Sequence, residues 1–151
     1  MSHTIKRRLP IFSTFIKTLL DDTTATAALG TLGITTGVYL PTLSAITNVA
    51  ATTAYDAQYV RVGNVVTVAL KFDCDPTAAA PTVTVVGITL PIASNFTADD
   101  EGMGGGGARV GGTDQVSVAF SSDATNVMRA LWSATNTGNQ GCYGSFTYLV
   151  L

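Results

Sequence analysis

The chain has 151 residues, of which 46% are hydrophobic and only 12% are charged, and its formal net charge is −2. A chain of this length suits one domain with its own core, because it buries roughly two-thirds of its unfolded surface. Soluble proteins usually carry about 25% charged residues. We therefore expect a surface that relies on hydroxyl groups or is partly covered by other copies of the chain.

The charges are unevenly distributed along the chain. Residues 1–36 carry four basic and two acidic side chains, whereas residues 37–151 carry four basic and eight acidic ones. The second part offers no broad basic face, so nucleic-acid binding is not expected. No segment is long and apolar enough for membrane insertion, and no signal segment is expected, which favours assembly in a cytoplasm. Cys74 and Cys142 are expected to be reduced thiols.

The N-terminal part is expected to be a basic arm followed by an anchoring helix. A helix of about eleven residues is indicated by apolar side chains at spacings of three and four, namely Phe12, Phe15, Ile16, Leu19 and Leu20. Such a helix is marginal alone in water, so it needs a partner. The β-rich body, a second copy of the chain or another protein would each serve, and we favour the last two.

Residues 19–34 form a connector with its own pattern. A Leu pair and the Asp21–Asp22 pair precede an Ala-rich stretch, and Gly30 and Gly33 follow it. The two aspartates suit a helix N-cap, and the glycines suit a helix end. The connector therefore predicts a short capped helix.

From Thr36 onward the hydrophobic pattern changes to a period of two, with runs rich in Val, Ile, Thr, Tyr and Phe. Strands are predicted at about 44–53, 58–62, 65–72, 82–90, 103–111, 115–121, 126–134 and 142–150. Seven or eight short strands favour a mainly β fold, an antiparallel β-sandwich or jelly roll. The predicted organisation is an arm, helix and connector in residues 1–36 and a β head in residues 37–151.

The clearest hairpin spans residues 59–68, with Gly63 and Asn64 as a two-residue turn of type II′. Val62 should oppose Val65, and Val60 should oppose Thr67. Both faces of this hairpin are largely apolar, the first with Val60, Val62, Val65 and Ala69 and the second with Tyr59, Val66, Val68, Leu70 and Phe72, with Arg61 among them. A sister subunit covering one face would satisfy this pattern, and so would a three-layer monomer.

Two later strands show which of their side chains should face inward. Val116, Val118 and Phe120 alternate with polar residues, and Phe146, Tyr148 and Val150 share one face of the last strand. A final apolar strand of this kind should be inserted into the sheet.

The residues that carry chemistry are few, so no enzyme activity and no metal or cofactor is expected. The single histidine, His3, lies in the N-terminal arm, which leaves the body without a Ser-His-Asp or Cys-His pair. The Asp73 and Asp75 pair and the acidic run 99–101 are the candidate carboxylates for glycoside hydrolysis. Solvated turns are the more common role of such groups.

Residues 102–112 contain seven glycines in eleven positions, without the Lys-Ser/Thr ending of a phosphate-binding loop. The run is either a flexible loop or a strand whose missing side chains allow close backbone approach, for example at a symmetry axis. We favour the strand.

The candidate ligand loop follows Trp132. An aromatic ring beside neutral amides suits sugar hydroxyls, and the residues that offer them are Trp132, Asn136, Asn139 and Gln140. Burial of the tryptophan in the core is the competing interpretation.

The connector resembles a short segment that recurs in tailed-bacteriophage fibre and tail proteins. The segments 37–43, 59–68 and 90–96 also resemble a distal head domain of phage fibres. The resemblance implies a virion protein with a trimeric β head that binds host surfaces. No shaft repeat separates the connector from the head, so a short spike or fibre is expected rather than a long one.

Three functions follow from this resemblance. The first is a short homotrimeric fibre that docks into a tail, portal or capsid socket through its helix and contacts host surface polysaccharide through its head. The second is a decoration or cement protein without a host ligand. The third, less favoured, is a polysaccharide depolymerase acting through Asp73 or Asp99.

Overall fold

The computed structural model describes residues 13–99, 101–110 and 113–151. The chain divides into two compact units, Met1–Ile34 and Thr35–Leu151. The described part is mainly β, with two short helices followed by ten strands of one antiparallel sheet. This confirms the predicted β class.

The first helix, α1, spans Thr14–Asp21 and begins at Ser13, whose hydroxyl accepts a hydrogen bond from the Ile16 amide over 3.4 Å. The helix has eight residues where about eleven were expected, and the predicted residue Phe12 lies outside the described part of the chain. None of the residues of α1 is buried. Burial within the helical unit therefore contributes little to the stability of α1.

The second helix, α2, spans Ala25–Thr31 and confirms the short capped helix of the connector. The predicted cap was wrong: the hydroxyl of Thr24 caps α2 by accepting from the Ala27 amide over 3.1 Å, while Asp21 ends α1 and Asp22 is its C-cap. The leucine pair before them continues α1 as far as Asp21, so the aspartates end the first helix and are not available to start the second. Gly33, at φ +74°, follows the helix end, whereas Gly30 lies inside α2.

Ten strands follow the two helices along the chain. Their bounds are β1 Ile34–Tyr39, β2 Leu43–Thr47, β3 Val49–Ala54, β4 Ala57–Val62, β5 Val65–Pro76, β6 Val83–Ile88, β7 Gly102–Val110, β8 Thr113–Asp123, β9 Val127–Ser133 and β10 Gln140–Leu149. All eight predicted strands are present. The strand expected at 44–53 is divided at Asn48 into β2 and β3, and β1 was not predicted.

The sheet is curled back on itself by β2 and β3. Its strand order is β1-β4-β5-β10-β7-β8-β9-β6-β2, and β3 pairs with β5 in addition. Since β3 directly continues β2 beyond Asn48, this bent pair of strands links β6 to β5. Strand β10 lies between β5 and β7, which confirms that the last strand is inserted into the sheet.

The hairpin β4–β5 has the predicted register and turn. Val62 pairs with Val65 and Val60 with Thr67. Gly63 has φ +59° and Asn64 has no positive φ, as a type II′ turn requires. The two faces also separate as predicted: Val66, Val68, Leu70 and Phe72 are buried, while Val60, Val62, Val65 and Ala69 are exposed.

The interior is filled by alternating side chains from opposite walls of the curled sheet. The Phe72 ring of β5 meets the Trp132 ring of β9 edge to face, with centroids 6.1 Å apart, although the two strands are not neighbours. Val118, Phe120, Phe146 and Tyr148 are buried as predicted, and Val116 and Val150 pack against them. Each fully buried side chain of this size contributes about 1.5–3 kcal/mol.

The glycine run is the strand β7, as we favoured, paired with β10 on one side and β8 on the other. The close backbone approach that its glycines allow is to β10 of the same chain. A Cβ built on Gly106 would lie 1.9 Å from the Tyr143 carbonyl oxygen, and one on Gly104 would lie 2.1 Å from that of Ser145. Glycine is therefore required at both positions by their contacts with β10.

Candidate functional site

Two of the four residues of the candidate ligand loop lie in the interior. Trp132 is 3% exposed and its Nε1 donates to Gln140 Oε1 over 2.8 Å. Gln140 is 1% exposed, and its Nε2 donates to the Asn136 carbonyl over 2.9 Å. This chain of hydrogen bonds satisfies buried polar groups and fixes the base of the loop. The Trp132 ring is not available for stacking on a ligand.

The other two residues lie nearer the surface. Asn136 is half-buried, and its Oδ1 accepts from the Gly138 amide over 2.8 Å in a local turn. Asn139 is exposed and its Nδ2 donates to Asp75 Oδ1 over 2.9 Å. Asn139 therefore connects the loop to the outer side of β5.

The outer side of β5 carries an aromatic and polar cluster beside Asn139. Asp73 and Asp75 alternate with the buried Phe72 and Cys74, which places both carboxylates on the outside. The Tyr55 hydroxyl donates to Asp73 Oδ2 over 2.7 Å. We call the group Tyr55, Lys71, Asp73, Asp75 and Asn139 the Tyr55 patch.

Lys71 contributes the positive charge of the Tyr55 patch. Its Nζ is 3.7 Å from Asp73 Oδ1 and 4.5 Å from the centroid of the Tyr55 ring. The hydrogen bond to Asp73 raises the pKa of Tyr55, so its phenol stays protonated and keeps donating. With two carboxylates and one ammonium group, the patch has a formal charge of −1.

A second exposed ring lies next to this patch. Tyr143 of β10 is the register partner of Lys71 and is 36% exposed. A Cβ built on Gly107 would lie 2.9 Å from the Tyr143 hydroxyl, so the ring lies over that glycine. Tyr55 and Tyr143 are among the aromatic residues that could stack on a sugar, but the sequence could not place Tyr55 beside Asp73 or Tyr143 beside Lys71, because both placements depend on the pairing of β3, β5 and β10.

Another part of the same outer side, where β4 pairs with the beginning of β5 and β5 with the end of β10, is apolar and uncharged. Val60, Val62, Val65 and Leu149 are exposed there, Val62 by 53%. The hydroxyls of Thr67 and Thr147 are 3.0 Å apart between them. We call these six residues the uncharged face.

The uncharged face continues into an open groove of about 470 Å³. The groove is lined by Thr36, Gly37, Val38, Gln58, Tyr59, Val60, Thr67 and Ala69. No charged side chain is among them. Exposed apolar surface that is continuous in this way is typical of protein interfaces.

The predicted docking residues of α1 are also accessible. Leu20 is 69% exposed and Phe15 is 49% exposed, while Ile16 and Leu19 are half-buried. Phe12 lies outside the described residues. The described apolar side chains of α1 are therefore available to a partner.

The described residues contain no cluster of three or more His, Cys, Asp or Glu side chains that would hold a metal ion. Cys74 and Cys142 are buried free thiols. Burial raises the pKa of Cys74 to about 12 and also raises that of Cys142, so neither is a thiolate nucleophile near neutral pH. Within the described part of the chain, neither helix is long and apolar enough to cross a membrane.

No protein-family model matches the chain, and neither the curated proteins nor the solved structures contain a significant match.

Proposed function

We propose that the chain is a structural protein of a bacteriophage virion, a short homotrimeric fibre or spike without enzyme activity. Its head, Thr35–Leu151, would contact the host surface, and α1 would dock into a tail, portal or capsid socket. The resemblance of residues 19–34 to a fibre connector supports the class of protein. The observation that carries the assembly is the uncharged face, because its exposed valines and leucine gain stability when they are covered.

The head is proposed to be a β-sandwich of the kind found in fibre heads. The edge-to-face contact between Phe72 and Trp132 supports this arrangement, since it joins two strands that are not neighbours in the sheet. The two walls of the curled antiparallel sheet contact each other through their side chains. The two layers of a β-sandwich pack in the same way.

The assembly is tested by the mass of the full-length protein in sedimentation equilibrium. We expect three times the 15.6 kDa of one chain. Val62→Lys should give a monomer, because it places a charge in the uncharged face, whereas Val83→Lys on the outside of β6 should leave the trimer intact. Val83 is the matched control because it is a similarly exposed valine, at 49% against 53% for Val62.

The host contact is tested by adsorption of labelled wild-type protein to cells of candidate host bacteria. Saturable binding of the trimer supports a receptor-binding fibre. A trimer that binds no host, but whose loss destabilises the particle, would instead support a decoration or cement protein. A monomeric wild-type protein would contradict the homotrimer.

A further inference from the structure

The Tyr55 patch combines a ring with two hydrogen-bonded pairs, Tyr55–Asp73 and Asn139–Asp75, on the outside of the head. The Tyr55 ring is 39% exposed, and its hydroxyl is held by Asp73. Tyrosine offers a large, rigid contact surface that loses little conformational entropy on binding. The carbon–hydrogen face of a pyranose ring is apolar and matches such a surface.

The polar groups of the patch keep unused hydrogen-bonding capacity. An ionised carboxylate has about four acceptor sites. Asp75 accepts one described hydrogen bond, from Asn139, whose amide oxygen is a further acceptor. Asn139 is exposed and Asp75 is half-buried, so both can be reached by hydroxyl groups of a ligand. Neighbouring carboxylate and amide groups are suited to adjacent sugar hydroxyls.

The charges of the patch select against acidic ligands. Its one cation, Lys71, already lies against Asp73 and the Tyr55 ring. Residues 37–151 carry four more acidic than basic side chains, so the wider field also repels anions. Uronate, sialate or phosphate groups would therefore be disfavoured relative to neutral sugars.

From these observations we propose that the Tyr55 patch binds a neutral hexopyranose unit of a surface glycan. The inference rests on the proposed function, because it names the ligand class of the host-contacting head. It also moves the contact from the Trp132 ring, which is buried, to Tyr55 and Asn139 at the outer side of β5.

The test is an NMR titration of the isotope-labelled full-length protein with the methyl α-pyranosides of glucose, mannose and galactose. At least one of them should shift the amide signals of residues 55, 71–75 and 139. Tyr55→Ala and Asn139→Ala should each weaken that affinity about tenfold, the effect of losing a stacking surface or a hydrogen bond. Tyr55→Phe, which keeps the ring, should weaken it less than Tyr55→Ala.

Thr137→Ala is the matched control, since Thr137 is exposed in the same loop but outside the patch. It should leave the affinity unchanged, and thermal melts should show that all variants are folded. Immobilised dextran, mannan or galactan should retain the protein better than alginate, an acidic polysaccharide. Binding to alginate alone, or equal affinity of wild type and Tyr55→Ala, would overturn the inference.

The proposed function is judged separately by adsorption to cells. If wild type and Tyr55→Ala adsorb equally well, the inference fails while the receptor-binding fibre stands. If wild type binds a pyranoside through the patch but adsorbs to no host, the fibre fails while the sugar site stands. If none of the three pyranosides shifts the patch signals, the sugar site is refuted.

Discussion

Gly106 and Gly144 lie opposite each other in neighbouring strands of the sheet, where the space of their side chains is already filled. Gly144 pairs with Gly106, and a Cβ built on Gly144 would lie 2.6 Å from the Phe120 ring. The Phe120 ring thus lies over Gly144, which has no side chain of its own. This packing supplies apolar contact that glycine alone cannot provide.

Gly106→Ala is expected to destabilise the fold by about 3 kcal/mol or more, because the new methyl group would lie 1.9 Å from the Tyr143 carbonyl oxygen. The matched control is Gly105→Ala, whose nearest neighbour would be 3.9 Å away. It should stay within about 1 kcal/mol of wild type. Urea unfolding followed by circular dichroism measures both, and equal stability of the two variants would contradict the described β7–β10 contact.

At the candidate site, the sequence predicts which single residues face outward, but it does not predict which side chains they contact. The alternation around Phe72 and Cys74 places Asp73 and Asp75 outside, and the loop composition draws attention to Asn139. The sequence could not show that Trp132 is buried and bonded to Gln140, because a lone tryptophan before a polar loop suits either surface or core. The sequence could not place Tyr55 beside Asp73, because the contact between them depends on tertiary structure.

Among the elements, the division between β2 and β3 is organised by one side chain. Asn48 has φ +56°, which turns the chain from β6 towards β5. Its Nδ2 donates to the Ala78 carbonyl and to Thr84 Oγ1, over 2.9 and 2.8 Å. Its Oδ1 accepts from the Thr77 hydroxyl and the Ala78 amide, both over 2.7 Å. Asn48 therefore joins the bend to the segment after β5.

Asn48→Ala is expected to cost about 2–4 kcal/mol, because it loses these hydrogen bonds and places an alanine at positive φ. Asn48→Gly should cost about 1 kcal/mol less, since glycine adopts that backbone conformation without strain. Thermal or urea unfolding gives both values. Equal losses in the two variants would show that backbone conformation contributes nothing at this position.

The sequence predicted the strands well because their hydrophobic alternation is local. It did not predict the break at Asn48, because the amide's partners are about 30 residues away in the chain. It also missed β1, whose Thr-rich pattern and Gly37 give a weak alternation. A glycine is needed at position 37 because the Tyr59 ring lies 2.6 Å from where a Cβ of residue 37 would be. Tertiary contacts decided both features.

At the scale of the whole molecule, the two compact units differ in how much they bury. Neither α1 nor α2 contains a buried residue, whereas the core residues from Ala57 to Tyr148 all belong to the second unit. Since buried apolar surface supplies most of the folding free energy, stability is concentrated in the second unit.

Removal of residues 1–33 is therefore expected to leave a folded head whose melting temperature lies within about 4 °C of the full-length protein. The sedimentation mass should still be that of a trimer, because the uncharged face belongs to the head. Docking to the virion should be lost. Full-length Leu20→Ser, which changes an exposed apolar residue of α1, should reproduce the docking defect, and a head that unfolds at a much lower temperature would contradict this division.

The position of β10 has a consequence for folding during synthesis. This strand pairs with β5 on one side and β7 on the other, so its neighbours in the sheet precede it by roughly 40 to 75 residues. While the ribosome still holds residues 140–149, β5 and β7 each expose an edge that would pair with any suitable strand. We therefore expect the sheet of the nascent head to stay incomplete until β10 emerges from the ribosome and pairs with β5 and β7 in one late step.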